Sequence, residues 1–425
     1  MNKYLARLGV LLLIAILAGC SQSMVRQGDR ALRHGNCELA KERFLNALQS
    51  KPDDLEIRRG LGRSYFCLGE YGQADSILSS LWQEHRGDAL TTLYLGMTKE
   101  AEGDLESAGR VYGSFQASSD KSQLAQQIRG RYLYVHNEYL RQQVKHALEF
   151  ESEQKLPSDT IRSVGVLPFG ITDSTADSLK PLGDGLAAAV SYDLAQVKGI
   201  KLVERLKLKY LLDELSLVEK GYTSEESSPR LGRIVGANDL VGGSLTPEAG
   251  NKLGIQSYIV NTGDSKYSVA LDHQDQFDKL MQLQKQLSFA IIDSLGIKLT
   301  PEERNAIEKI PTTSYQAFWA YSRGIGALDA GNYDMARDDF NAALNFDPGF
   351  AQAAASKNEA SLLNNSSGTL KQFESSSLAG GGYHEANAVT GIQDIYGTVD
   401  QSETPPGTID PVLETGTATV SGSIR

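Results

Sequence analysis

Glycine recurs at Gly28, Gly62 and Gly96, again at Gly35, Gly69 and Gly103, and alanine at Ala40, Ala74 and Ala108, each set spaced by 34 residues. A large apolar or aromatic side chain follows each alanine four positions later, at Phe44, Leu78 and Tyr112. Three positions held in one register leave little freedom: this part of the chain must be a stack of two-helix units. The first glycine of each unit lets its two helices approach closely. The second stops the first helix, where a left-handed residue is easiest for glycine. The alanine sits where the helices touch, and the large residue one turn on fills the next layer. This register places repeats at about 21–54, 55–88 and 89–122. Pro52 closes the first, whereas Arg86 and Asp120 hold the equivalent places in the others.

That period is the one of the tetratricopeptide repeat (TPR), and the array resembles that family. Such arrays present a curved surface to a protein partner. The resemblance puts Asp29, Arg33, Arg59, Arg63, Phe66 and Met97 on the concave, partner-binding face, although each is also readable as a solvated or packing residue. Residues 123–156 continue as a capping and connecting helix that ends before Pro157. Farther on, Gly324, Gly331, Ala336, Phe340, Ala343 and Pro348 return in the same register. They predict one further repeat at about 317–350 within a region 301–363. A short helix starts at Thr300 as its cap, and a capping helix follows at 351–363. One repeat cannot bury its own face. It must pack on the middle of the chain, on the N-terminal array, or on a second copy.

Between the two repeat regions the pattern changes. Ser163 to Phe169 reads as a buried strand, Leu179 to Val197 as a helix, and Gly199 to Arg205 as a second strand. Leu206 to Glu219 and Pro229 to Val235 follow as helices, then Asn238 to Leu245 as a third strand. Leu253 to Val260 and Lys266 to Leu271 make an antiparallel pair about a turn at 261–264, and Gln274 to Leu295 closes as a helix. The order predicts an α/β sandwich, a mixed sheet covered by helices. VGVLPF, LGDGLAAAVSYDL, LVERLKLKYLLDEL and LGRIVGANDLVGGSL resemble the CsgG-like group of bacterial envelope proteins, to which FlgO and the TolB N-terminal domain type are related. The resemblance covers about 160–300. It implies ring assembly or docking on another envelope protein. The barrel-forming hairpins of that group have no counterpart, because Gly243 to Leu271 reads as short strands only.

The start of the chain fixes the expected compartment. Lys3 and Arg7 precede an apolar run from Leu8 to Leu17, which leads through Ala18 and Gly19 to Cys20. The run has the length of a signal-peptide core and is too short to span a bilayer. It resembles a lipoprotein signal (1–19), which implies lipidation at Cys20. Ser21 in place of Asp implies the outer membrane, facing the periplasm. Cys37 and Cys67 are then an even pair in an oxidising compartment, open to a disulfide or to two buried thiols.

A net charge of −11 argues against nucleic acid as a main partner. No motif for catalysis, metal or cofactor stands out: Ser244 lacks the Gly-x-Ser-x-Gly elbow, and Asp173, Asp177 and Asp184 are only loop-near acids. Glu204-Arg205 reads as a structural ion pair or an oligomer contact. From about 364 to 425 the composition is polar and poor in aromatics, which predicts a disordered tail. The whole is a multidomain α and α/β chain. Its expected function is that of a lipid-anchored envelope scaffold, binding protein partners through the repeats and docking or forming a homo-oligomer through the CsgG-like domain. The alternative is a component of an outer-membrane export or surface-fibre apparatus.

Overall fold

A computed structural model describes residues 23–154, 161–172, 179–215 and 228–379. The predicted signal with Cys20, the acids Asp173 and Asp177, and residues 380–425 of the predicted tail lie outside the described residues. Two compact units divide them. One gathers residues 23–136 with 365–379, and the other residues 137–364.

The first unit is a helical array. Helix α1 (23–33) pairs with α2 (Cys37–Leu48), α3 (Leu55–Leu68) with α4 (Tyr71–Glu84), and α5 (Ala89–Ala101) with α6 (Leu105–Gly113). The repeat residues do what their spacing demands. Ala40, Ala74 and Ala108 are fully buried, as are Phe44, Leu78 and Tyr112. A β-carbon on Gly62 would stand 2.7 Å from Leu78, so the helices meet only because that position is bare. Gly69 ends α3 in the left-handed region at φ 75°, where its N–H bonds back to Phe66 and Tyr65 carbonyls. Asp54, Asp88 and Asp104 cap α3, α5 and α6 by accepting backbone N–H bonds.

A longer helix, α7 (Gln123–Glu149), follows. Gly130 stands on it one further 34-residue step beyond Gly96, and its first half belongs to this unit. The unit is completed from far along the chain by α16 (Leu370–Ala379). This corrects the predicted tail, because residues 364–379 are largely helical. Phe373 of α16 is 1% exposed, packed edge-to-face on Tyr112 with ring centroids 6.5 Å apart. A polar composition therefore folds here because a prepared apolar face receives its one aromatic.

The second unit is built on a mixed sheet. Strands β1 (Arg162–Val166) and β2 (Gly170–Ile171) lead to α8 (Lys180–Leu194), β3 (Ile200–Leu202), α9 (Arg205–Glu214) and α10 (Ser228–Val235). Then come β4 (Asp239–Glu248), β5 (Lys252–Asn261), β6 (Tyr267–Gln276) and α11 (Leu280–Ser294). The strand order is β3-β1-β4-β5-β6, with β2 beside β4. β1 pairs parallel with β3 and β4, and β4, β5 and β6 run antiparallel. The covered α/β sheet is as predicted, with two corrections. Strands β4, β5 and β6 are each ten residues long rather than short, because pairing continues through the polar ends, Thr246 with Gly254 and Glu248 with Lys252. The closing helix begins at Leu280, since residues 274–276 still pair in β6.

The second half of α7 is part of this unit and not only a connector. Leu140, Val144 and Ala147 share a core with Leu167, Leu206, Leu208 and Leu240. The C-terminal hairpin is α13 (Tyr315–Asp329) with α14 (Tyr333–Phe346), preceded by α12 (Pro301–Glu308) and followed by α15 (Ala351–Ser366). Thr300 caps α12 in a reciprocal capping box with Glu303. Of the three packing options open to the lone hairpin, the structure selects the middle domain. Gly185 of α8 lies directly against Ser322 of α13, and Gly326 lies beside Asp184.

Candidate interaction sites

The predicted concave-face residues are mostly spent inside the array. Met97 is fully buried, and Asp29, Arg59 and Phe66 are also buried. Arg63 pairs with Asp29 at 3.4 Å and lies over the Tyr94 ring at 5.1 Å. Arg59 pairs at 2.8 Å with Asp88, the residue that caps α5. Phe66 meets Tyr94 edge-on at 5.7 Å. Only Arg33 of the six is exposed. Asp29, Arg59, Arg63 and Phe66 are thus engaged with neighbouring helices of the same chain, and Met97 is spent in the core. The physical reason is charge pairing between neighbouring repeats, Asp29 with Arg63 and Arg59 with Asp88.

The signal for the last such position was present in the sequence and missed. Arg131, next to Gly130, occupies the place of Asp29, Arg63 and Met97. Its guanidinium is 2% exposed and meets Glu100 at 2.7 Å. It also donates to the Ser366 and Gly368 carbonyls, each at 2.9 Å, and lies 4.7 Å from the Phe373 ring. Tyr94 donates to Glu374 at 2.9 Å, and burial holds its phenol well above the usual range. Gln127 donates to the Ser376 carbonyl at 3.0 Å. The helix-A side chains of the last turns of the array thus grip the chain's own α16. Cys37 and Cys67 are joined by a disulfide with Cα atoms 5.8 Å apart, at the start of α2 and the end of α3.

In the second unit, Ser244 lies inside β4, paired with Gln256 on one side and Gly170 on the other. No sharp strand-to-helix turn presents it. Arg205 forms its ion pair with Asp329 of the C-terminal hairpin rather than with its neighbour Glu204. Asp184 stands near this pair, and burial together with the Asp329 carboxylate pushes it up to about 6. A second buried polar cluster ties α8 to α11: Asp193 accepts from Lys285 and Gln284 at 2.7 Å and from Ser288 at 2.8 Å. Both clusters hold helices to one another. Among the described residues, no helix is long and apolar enough to cross a membrane.

β6 is an edge strand, paired with β5 on one side. Tyr267 and Val269 stand exposed on it, and a bulge interrupts its register opposite Ser257 and Tyr258. On α14, Met335 and Phe346 are exposed at a spacing of three helical turns.

Residues 144–250 match the family described as the curli production assembly/transport component CsgG. The match starts inside α7, where that helix enters the sheet domain's core, and ends at the turn between β4 and β5. No curated protein matches the chain. Among solved structures, it is similar to the TPR2AB domain of yeast Sti1 in its pHSP90 complex, at 10% identity and a TM-score of 0.28, covering 82% of this chain and 98% of that one. Yeast Tom70 aligns at 12% identity and a TM-score of 0.26, covering 84% and 69%. A tetratricopeptide repeat protein from Parabacteroides merdae aligns at 12% and 0.25, covering 81% and 99%. These low scores carry no weight here; the repeat assignment stands on the 34-residue register and the hairpins it builds. The chain combines tetratricopeptide-type helical hairpins with a CsgG-like α/β domain.

Proposed function

We propose that this protein is a cell-envelope adaptor, tethered by lipid on Cys20 to the outer membrane and facing the periplasm. It joins protein partners through its hairpins and docks or assembles through its CsgG-like domain. The observation that carries this reading is the match of residues 144–250 to a family of assembly and transport components, set among hairpins of a type that bind proteins. The polar clusters of the sheet domain are ion pairs between helices, which supports a role in assembly rather than chemistry. The lipobox-like Leu17-Ala18-Gly19-Cys20 supports the tether.

The second reading is a part of an export or surface-fibre apparatus. The described role of the matched family favours it. Light scattering after size exclusion, on the chain lacking residues 1–19 and carrying Cys20→Ser, separates the two. A defined ring-sized oligomer favours the apparatus. A monomer favours the adaptor. Membrane fractionation of full-length Cys20→Ala tests the tether: the variant is expected in the soluble fraction, and retention equal to the unaltered protein would overturn lipid anchoring.

A further inference from the structure

A groove of about 550 Å³ opens between the second half of α7 and the α9 and α10 region. Its volume falls within the range of small-molecule sites. Gln142, Gln143 and His146 line one wall from α7, Ile234 and Val235 form an apolar part, and Lys207 reaches in from α9. In a chain with a net charge of −11, no aspartate or glutamate is among the described residues that line it.

Lys207 is the informative member. Its ammonium donates to the Val235 carbonyl at 3.2 Å. An ammonium has three protons to place, and among the described residues no carboxylate comes within ion-pairing distance of it. Burial holds this group below the usual lysine range, with Glu204 acting against that and Lys201 adding to it. A half-buried ammonium bonded to one neutral carbonyl, facing a groove whose described lining holds no carboxylate, is the arrangement an incoming anion complements. The glutamine amides beside it offer paired donors and acceptors, the complement of peptide groups.

We propose that this groove binds a carboxylate, that of a peptide C-terminus, with the carboxylate on the Lys207 ammonium, the last peptide groups on Gln142 and Gln143, and a small apolar side chain against Ile234 and Val235. The occupant is thus the free end of a short peptide, a class of ligand independent of the adaptor reading above.

The test is calorimetric titration of the mature chain, carrying Cys20→Ser, with N-acetyl-Ala-Ala, its C-terminal amide, and acetate. The acid is expected to bind at least about tenfold more tightly than the amide. Lys207→Gln is expected to remove that preference. Gln142→Glu changes an exposed residue, so the fold is kept, and its new negative charge is expected to weaken the acid about tenfold. Equal binding of acid and amide, or binding of neither, overturns the proposal. Acetate matching the acid would keep the carboxylate site and assign it to simple carboxylic acids instead of peptide ends.

Discussion

Arg205 opens α9 in the sheet domain, and its guanidinium is bonded to Asp329 at the end of α13, 124 residues later. Both side chains are buried, and Asp329 Oδ1 has no hydrogen-bond partner among the described residues. A buried pair of this kind is weak as a net source of stability but costly to break. Asp329→Ala leaves the Arg205 charge uncompensated and is expected to destabilise by about 3–5 kcal/mol. Replacing both residues by apolar ones of similar volume is expected to recover most of that loss. Chemical denaturation of the single and double variants measures both numbers.

Asp184 gives a pH signature. Its folded pKa of about 6 lies above the ordinary 3.8, so the folded state binds the proton more tightly than the unfolded chain. The favourable contribution is present in full below pH 4 and is lost as pH rises through 6. The size of the loss is about 2 kcal/mol, since the group is only partly buried. Asp184→Asn should remove this slope. The difference in unfolding free energy between the two proteins, followed from pH 4 to 7, is the measurement; a constant difference would refute the assignment.

A methyl group at Gly96 would overlap the Tyr112 ring, whereas one at Gly72, also helical, would meet nothing within 4 Å. Gly96→Ala is therefore expected to cost about 2–3 kcal/mol by forcing Tyr112 out of its packing. Gly72→Ala is expected to stabilise slightly, by up to about 1 kcal/mol, through helix propensity. Thermal melts of the two variants should move in opposite directions.

The Cys37–Cys67 bridge closes a loop with a sequence separation of 30. Loop entropy of that length is worth about 2–4 kcal/mol. Cys67→Ser, or reduction by dithiothreitol, is expected to lower the melting temperature of the first unit. The sheet domain, which holds neither cysteine, should melt unchanged.

Removing Phe373 tests the late-arriving helix. Phe373→Ala empties a buried site between Tyr112 and Arg131, at a cost of about 3 kcal/mol. Hydrogen exchange should then rise in α6 and the first half of α7, and α16 should lose protection.

What was legible in the sequence was local. The hairpins rest on glycines and alanines whose partners lie 16 residues away or less, as Gly28 and Phe44 do, so their spacing alone reveals them. The sheet domain was legible through its apolar strands, but β4 and β5 run past their apolar stretches because cross-strand pairing, not composition, decides where they stop. The concave-face residues misled because a charged helix position has no mark that distinguishes a partner on another chain from one a repeat away: Asp29 and Arg63 chose each other. Gly130 carried the 34-residue register one step further, yet Asn137 stands where the next terminating glycine would fall, and α7 runs on. The groove at Lys207 left no trace, since its walls come from three segments far apart in sequence.

The order in which the chain is made has a consequence for α16. The array's hairpins are available early, but the helix that covers Tyr112 and Arg131 comes only after the entire sheet domain and the last hairpin have been synthesised. Until then Tyr94, Gln127 and Arg131 have no Glu374, Ser376 or Gly368 to bond. The first unit is thus a receptor waiting for its own final segment, and any other peptide that reaches those three side chains first competes with the completion of the fold itself.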